Sequence, residues 1–251
     1  MFGEDEIENL RKHVNSKYKT DIKAGRSEVV WKNIQEVFSS KCRRGKTECI
    51  IGHMINRPKA PNSWIHNHTE WLSDSDITKV EHNYEKLFKG YKFLGCVSID
   101  FDLRSETGKC IVDALCSIKL HDLYKKGYRQ MGIVINTDVH TGPGEHWVAL
   151  FCDISPELEN PRVTYFDSYA RHPEKEIKTL MRRWRDEWLK VGIHSKPMET
   201  DYNTTRHQFK DSECGMYCIY FHYCCLNNIP MDVSIPDEVI NSFRNVLFNI
   251  K

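Results

Sequence analysis

HQFKDSECGMYCIYFHYCCL, residues 207–226, decides how the rest of the chain is read. Its first half is a polar loop. From Cys214 to Leu226 the run is apolar nearly all round, which predicts a helix buried on every side. Cys214 stands at the junction, where a helix start offers unpaired backbone N–H groups and the positive end of the dipole. Both favour a thiolate, the reactive form of cysteine. Gly215 follows and, lacking a side chain, lets a substrate carbonyl approach the backbone. Cys218, Cys224 and Cys225 lie deeper in the same apolar run and belong to the core. Gln208, in the loop, is placed to donate its amide N–H to a developing oxyanion, a contribution on the order of 10²–10³ in rate.

Working upstream, two segments supply the partners such a cysteine needs. GEHWVALF (144–151) puts His146 at the mouth of a strand, directly after the turn TGPGE. An imidazole there serves as general base, and Trp147 beside it walls a narrow groove. RVTYFDS (162–168) ends the next strand with Asp167. If the two strands pair, its carboxylate fixes the imidazole tautomer and stabilises the imidazolium. Each residue alone has an ordinary explanation as turn, strand-end, loop or core residue. As an ordered set they supply base, orienting acid, oxyanion donor and nucleophile, the parts of a thiol protease.

Around these motifs, strands are predicted over 93–101, 131–136, 146–154 and 162–168, each rich in Val, Ile, Phe and Tyr. Helices are predicted over 4–17, 27–39, 64–90, 173–191 and 236–249. The clearest is 173–191, where Ile177, Leu180, Met181, Trp184 and Trp188 form one stripe. The order is helices, mixed strands, a helix, a short strand and buried helices, which makes the fold α+β rather than a βαβ alternation. Pro58 and Pro61 mark a boundary. Residues 1–62 are expected to form an N-terminal helical arm and 63–251 the catalytic domain.

Composition narrows the function classes. The chain has 251 residues, 40% hydrophobic and 28% charged, enough to bury a core without disulfides or metal. The net charge of +1 gives no support to nucleic-acid binding. The basic clusters KCRR (41–44) and MRRWR (181–185) read as solvated faces, and no basic cluster stands near the catalytic motifs. No run of eighteen apolar residues exists and the first residues are acidic and polar, so neither membrane anchor nor signal peptide is expected. The ten cysteines sit mostly in apolar segments and read as reduced, pointing to a reducing compartment. There is no CxxC pair, and Cys42 and Cys49 are too far apart for a zinc knuckle. No metal and no cofactor are expected.

Taken together, GEHWVALF, YFDS, HQFKDSECGMY and the WLSDSDI segment at 71–77 resemble the ubiquitin-like-protein (SUMO) protease superfamily, which includes adenain and the poxvirus core proteases. The pattern NTD-x₂-TG-x-G-x-HWVA-x-F, with HQ-x₄-ECG and an FR-x₂-LF ending, is similar to asfarvirus polyprotein-processing proteases. The resemblance covers about 64–251. It implies a papain-related core of mixed sheet and flanking helices, with His146, Asp167 and Cys214 as triad and Gln208 with the Cys214 N–H as oxyanion donors. It further implies Trp71 and Trp147 as walls of a tunnel that admits only Gly-Gly, since a passage too narrow for a Cβ selects glycine. The asfarvirus enzyme has asparagine where this chain has Asp167, whose carboxylate is expected to orient His146 at least as well. The implied activity is cleavage of viral structural polyproteins after Gly-Gly during virion maturation, in the host cytoplasm and the particle. The alternative is a deconjugase acting on SUMO or another ubiquitin-like modifier. An acetyltransferase on the same triad would need a basic site for the phosphates of CoA.

Overall fold

The computed structural model describes residues 4–42, 47, 49–50, 57–110, 112–191 and 196–250. At its centre lies a five-stranded sheet in the order β1-β2-β3-β4-β5: β1 (Tyr91–Ser98), β2 (Gln130–Asn136), β3 (Trp147–Asp153), β4 (Arg162–Phe166) and β5 (Glu199–Tyr202). The outer pairs, β1/β2 and β4/β5, are parallel and the inner pairs antiparallel. The helices are α1 (Glu4–Tyr18), α2 (Ser27–Val37), α3 (Asp74–Leu87), α4 (Asp113–Cys116), α5 (Leu120–Lys125), α6 (Lys175–Val191), α7 (Cys214–Leu226), α8 (Asp237–Ser242) and α9 (Arg244–Leu247). This is a mixed sheet flanked by helices, an α+β fold.

Strand periodicity explains the two layers. Alternate residues of β3 point to opposite faces. Ala149 and Phe151 join one core with Met216, Tyr217 and Ile219 of α7. Val148, Leu150 and Cys152 join the other with Ile177, Leu180, Trp184 and Trp188 of α6. Both faces of the sheet are therefore dry, and each large side chain so buried contributes about 1.5–3 kcal/mol. β3 pairs with β4 in the register Ala149–Phe166, which brings the residue before β3 and the residue after β4 to the same end of the sheet. Those residues are His146 and Asp167.

A third, smaller core joins α1 and α2 through Ile7, Leu10, Val14, Val30, Ile34 and Phe38, with Leu87 of α3 packed against it. Near the other end of the chain, Asn249 bridges to Lys59, and its N–H donates to the Pro58 carbonyl at 2.8 Å.

Several expectations need correction. The helix expected over 64–90 is a 3-10 turn at Asn62–Ile65, then extended chain, then α3 from Asp74. Ser73 starts α3 through a capping box with Asp76, leaving Trp71 and Leu72 outside the helix. The helix expected over 236–249 breaks at Phe243, and Phe248 is extended where the chain turns to its bridge with Lys59. Helix α6 begins at Lys175, two residues after the expected start at Pro173. Helices α4 and α5 were not foreseen, because four and six residues carry too little periodicity to register. The expectation that all cysteines are reduced also fails. Cys42–Cys49 and Cys110–Cys116 are disulfides, each closing a short loop that brings its Cα atoms to 5.7 and 6.1 Å. Cys96, Cys152, Cys214, Cys218, Cys224 and Cys225 are free.

Candidate active site

Cys214 is the first residue of α7 and is 1% exposed. The loop before it is held by Glu213, which is fully buried. Its carboxylate accepts from the Ser212 N–H at 3.0 Å, the Ser212 hydroxyl at 2.9 Å and the Asn241 amide at 2.7 Å. The Cys214 backbone is thus fixed from one side by α7 and from the other by a buried carboxylate.

His146 Nε2 lies 2.7 Å from Asp167 Oδ1. That leaves Nδ1 for the cysteine. Asp167 is itself constrained: its carboxylate accepts from the Tyr169 N–H at 2.9 Å and the Arg171 N–H at 3.3 Å. Its backbone is clasped by Asn203, which accepts from the Asp167 N–H at 2.9 Å and donates to the Asp167 carbonyl at 2.8 Å. Burial pushes the His146 imidazole down, but hydrogen bonds to Asp167 and Cys214, and the charges of both, outweigh it and raise the ring to about 9. The ring is therefore imidazolium at neutral pH, a positive charge held against the sulfur. By contrast, burial raises the Cys152, Cys218 and Cys225 thiols well above their ordinary value, which leaves them inert.

Gln208 is fully buried and its orientation is set at both ends. Ser168 Oγ donates to its Oε1 at 2.6 Å, and its Nε2 donates to the Lys210 carbonyl at 2.7 Å. One of the two amide hydrogens remains for a ligand. Asp237 fastens the same loop by accepting from the Phe209 and Lys210 N–H groups at 3.0 and 3.1 Å.

Trp147 Nε1 donates to the Leu72 carbonyl at 2.9 Å, which brings the 71–72 segment against the β3 mouth. Trp71 is 45% exposed next to that contact. Gly215 lies under the same wall: a Cβ there would meet Leu72 Cβ at 3.0 Å and Trp147 Cδ1 at 3.4 Å.

The sequence reading missed Ser168, Asn203, Glu213, Asp237 and Tyr169. Ser168 and Glu213 adjoin quoted motif residues and had that signal. Asn203 and Asp237 sit in loops without pattern, and only the fold brings them in. A further correction concerns charge. Arg171 and Arg206, distant in sequence, converge on the Tyr169 ring at 4.9 and 5.3 Å, and that ring lies 5.0 Å from His146. A basic pair therefore does stand beside His146.

Residues 132–250 match the Ulp1 protease family, C-terminal catalytic domain. A protein of Acanthamoeba polyphaga mimivirus named as a thiol protease is 32% identical over 185 residues, 72% of this chain and 57% of that protein. A protein of African swine fever virus is 33% identical over 130 residues, 50% of this chain and 46% of its own. It is named a cysteine protease in one isolate and a SUMO-1 cysteine protease in another. The chain thus spans about half the length of the curated relatives it matches. The crystal structure of the African swine fever virus protease superposes with a TM-score of 0.66 at 21% identity, covering 96% of this chain and 90% of that one, which establishes the shared fold.

Proposed function

We propose that this chain, whose residues 132–250 match the Ulp1 protease family, is a cysteine endopeptidase cutting viral structural polyproteins after Gly-Gly during virion maturation. The observation that carries the reading is the His146–Asp167 contact at 2.7 Å, with the ring raised to about 9 beside a cysteine at a helix start. The viral assignment draws on the mimivirus and African swine fever virus relatives. We place the activity in the host cytoplasm and the particle. Six free cysteines are compatible with a reducing setting, although the two disulfides no longer speak for it.

Roles follow from position. The Cys214 thiolate attacks the glycine carbonyl carbon, forming the C–S bond. Gln208 Nε2 and the Cys214 N–H hold the resulting oxyanion. Imidazolium His146 gives its Nδ1 proton to the leaving amine as the C–N bond breaks, leaving a thioester. Neutral His146 then takes a proton from water, which attacks the thioester and releases the acid and Cys214. Trp71 and Trp147 form the walls of the Gly-Gly passage.

A second reading, removal of a ubiquitin-like modifier, is favoured by the name SUMO-1 cysteine protease borne by the swine fever virus relative. The test sets a fluorogenic Gly-Gly-Ala peptide beside a SUMO-aminocoumarin substrate, in reducing buffer, with Cys214→Ala as control. Peptide cleavage that vanishes in the variant is the expected result. Turnover of the modifier alone supports the second reading, and turnover surviving Cys214→Ala overturns both.

A further inference from the structure

Arg171, Tyr169, Arg206 and Phe209 form an alternating ladder of cations and rings that starts at the general base and ends one residue past the oxyanion donor. The Arg171 guanidinium lies 4.9 Å from the Tyr169 ring centre. Arg206 lies 5.3 Å from that ring on its way to Phe209, which it covers at 4.7 Å. The Tyr169 ring packs on His146 at 5.0 Å, and its hydroxyl donates to the Lys210 carbonyl at 2.7 Å, so the ladder ties the Asp167 loop to the Gln208 loop. Arg206 Nε donates to the Gln208 carbonyl at 2.8 Å.

Two features of this ladder are unexplained by folding. Phe209 is 66% exposed, among the most exposed large apolar side chains of the protein. Both arginines are exposed, and among the described residues neither has a carboxylate within 4.0 Å. Asp211 and Glu174 are near enough for their charge to be felt at Tyr169 and Arg171, yet they do not close an ion pair. Contact with the rings restrains both guanidiniums and, apart from Arg206 Nε, leaves their N–H groups for a ligand. That is the arrangement suited to bidentate capture of a carboxylate.

Its place in the site says which part of the substrate it meets. In the proposed function the acyl side runs between Trp71 and Trp147, the latter tied to the Leu72 carbonyl. The ladder borders the site from the 169–171 and 206–209 segments, next to the ring that protonates the leaving amine. We propose that Arg171 and Arg206 bind an acidic side chain on the leaving side of the scissile bond, making this a protease for Gly-Gly sites followed by Asp or Glu. The proposal rests on the endopeptidase reading.

The test compares Gly-Gly-Ala peptides that carry Glu, Gln or Lys at each of the next three positions, using the full chain. Glu over Gln is expected to raise kcat/KM about tenfold at one position, mainly through KM, with the preference shrinking at high salt. In Arg171→Ala/Arg206→Ala the Glu:Gln ratio is expected to fall to near one, and Arg206→Lys, which loses the planar fork, to restore it only partly. Equal cleavage of Glu and Gln peptides, or a preference that survives the double substitution, overturns the clamp while leaving the endopeptidase reading intact. If no Gly-Gly peptide is cut, that reading falls. The clamp is then decided by fluorescence anisotropy of Cys214→Ala with the labelled leaving-side peptides. Tighter binding of the Glu peptide, lost in the arginine variant, keeps it. Equal binding, or binding of CoA in place of the peptide, overturns it.

Discussion

Among the described residues two carboxylate–histidine pairs are buried, and they differ in what they leave free. His146 and Asp167 meet at 2.7 Å at the end of the sheet; His222 and Glu81 meet at 2.9 Å in its interior. Both members of the second pair are fully buried. There, the second imidazole nitrogen also has a partner, the Leu150 carbonyl at 3.1 Å, and Tyr91 donates to the other Glu81 oxygen at 2.7 Å. That cluster joins α3, α7, β1 and β3. Gly132 makes room for it, since a Cβ at that position would run into the Tyr91 hydroxyl. His146 differs in one respect that matters: one ring nitrogen is committed to Asp167 and the other faces Cys214. A histidine can relay protons only if one nitrogen is left over after folding has used the other. His222 has none to spare.

The comparison can be broken by exchanging losses. His146→Gln should lower kcat/KM on the order of 10²–10⁴, the usual worth of a general acid–base group. Glu81→Ala should do the reverse. It strips the partner from a buried histidine and should cost about 3–5 kcal/mol of stability, read by urea unfolding. The molecules that remain folded should keep the wild-type pH profile. A catalytic collapse in Glu81→Ala with stability intact would mean the interior pair is not a purely structural one.

The sequence made the His146–Asp167 pair visible and hid the His222–Glu81 pair, for a physical reason. His146 and Asp167 lie at strand ends, where turn residues and strand composition signal a boundary, and Cys214 lies where a polar loop becomes an apolar run. His222 sits inside that run and looks like one polar residue in a buried helix, because its partners come from α3 and β3, far away in sequence. The same holds for the site's supports. Ser168 and Glu213 touch the motifs, but Asn203 and Asp237 reach it only through tertiary packing. Strands β1 to β4 were legible from their runs of β-branched and aromatic residues and α6 from its apolar stripe, whereas β5, exposed throughout, has no such run. The 64–73 segment was not, since a capping box at Ser73 overrode its apolar spacing and left Leu72 to meet Trp147.

A subtler break leaves His146 in place and changes only its carboxylate. Asp167→Asn keeps a hydrogen-bonding group but removes the charge, so the His146 ring should fall from about 9 toward its ordinary value. The active pair needs the imidazolium, so the alkaline limb of the kcat/KM profile should move to lower pH. The cost near neutral pH should be on the order of tenfold. Stability follows the same sign. A ring raised in the folded state adds stability that is fully present below its unfolded value of about 6.5 and is lost as pH rises through about 9. Asp167→Asn should therefore lower Tm more at pH 6 than at pH 10. An unmoved alkaline limb would mean that Asp167 orients the ring without charging it.

The smallest effect tests whether the oxyanion donor is held as firmly as the base. Ser168 touches no reacting atom; it donates to Gln208 Oε1 at 2.6 Å and so settles which end of the amide faces the Lys210 carbonyl and the site. Removing that one bond with Ser168→Ala should cost about 0.5–1.5 kcal/mol, roughly two- to tenfold. The loss should fall on kcat rather than KM, because the amide's hydrogen matters only once charge develops on oxygen. Gln208→Ala should cost more, and adding Ser168→Ala to it should cost almost nothing further, since a residue acting only through Gln208 has nothing left to position. Additive losses would show instead that Ser168 acts through the Asp167 loop, and that the fixed geometry on the histidine side extends across the whole site.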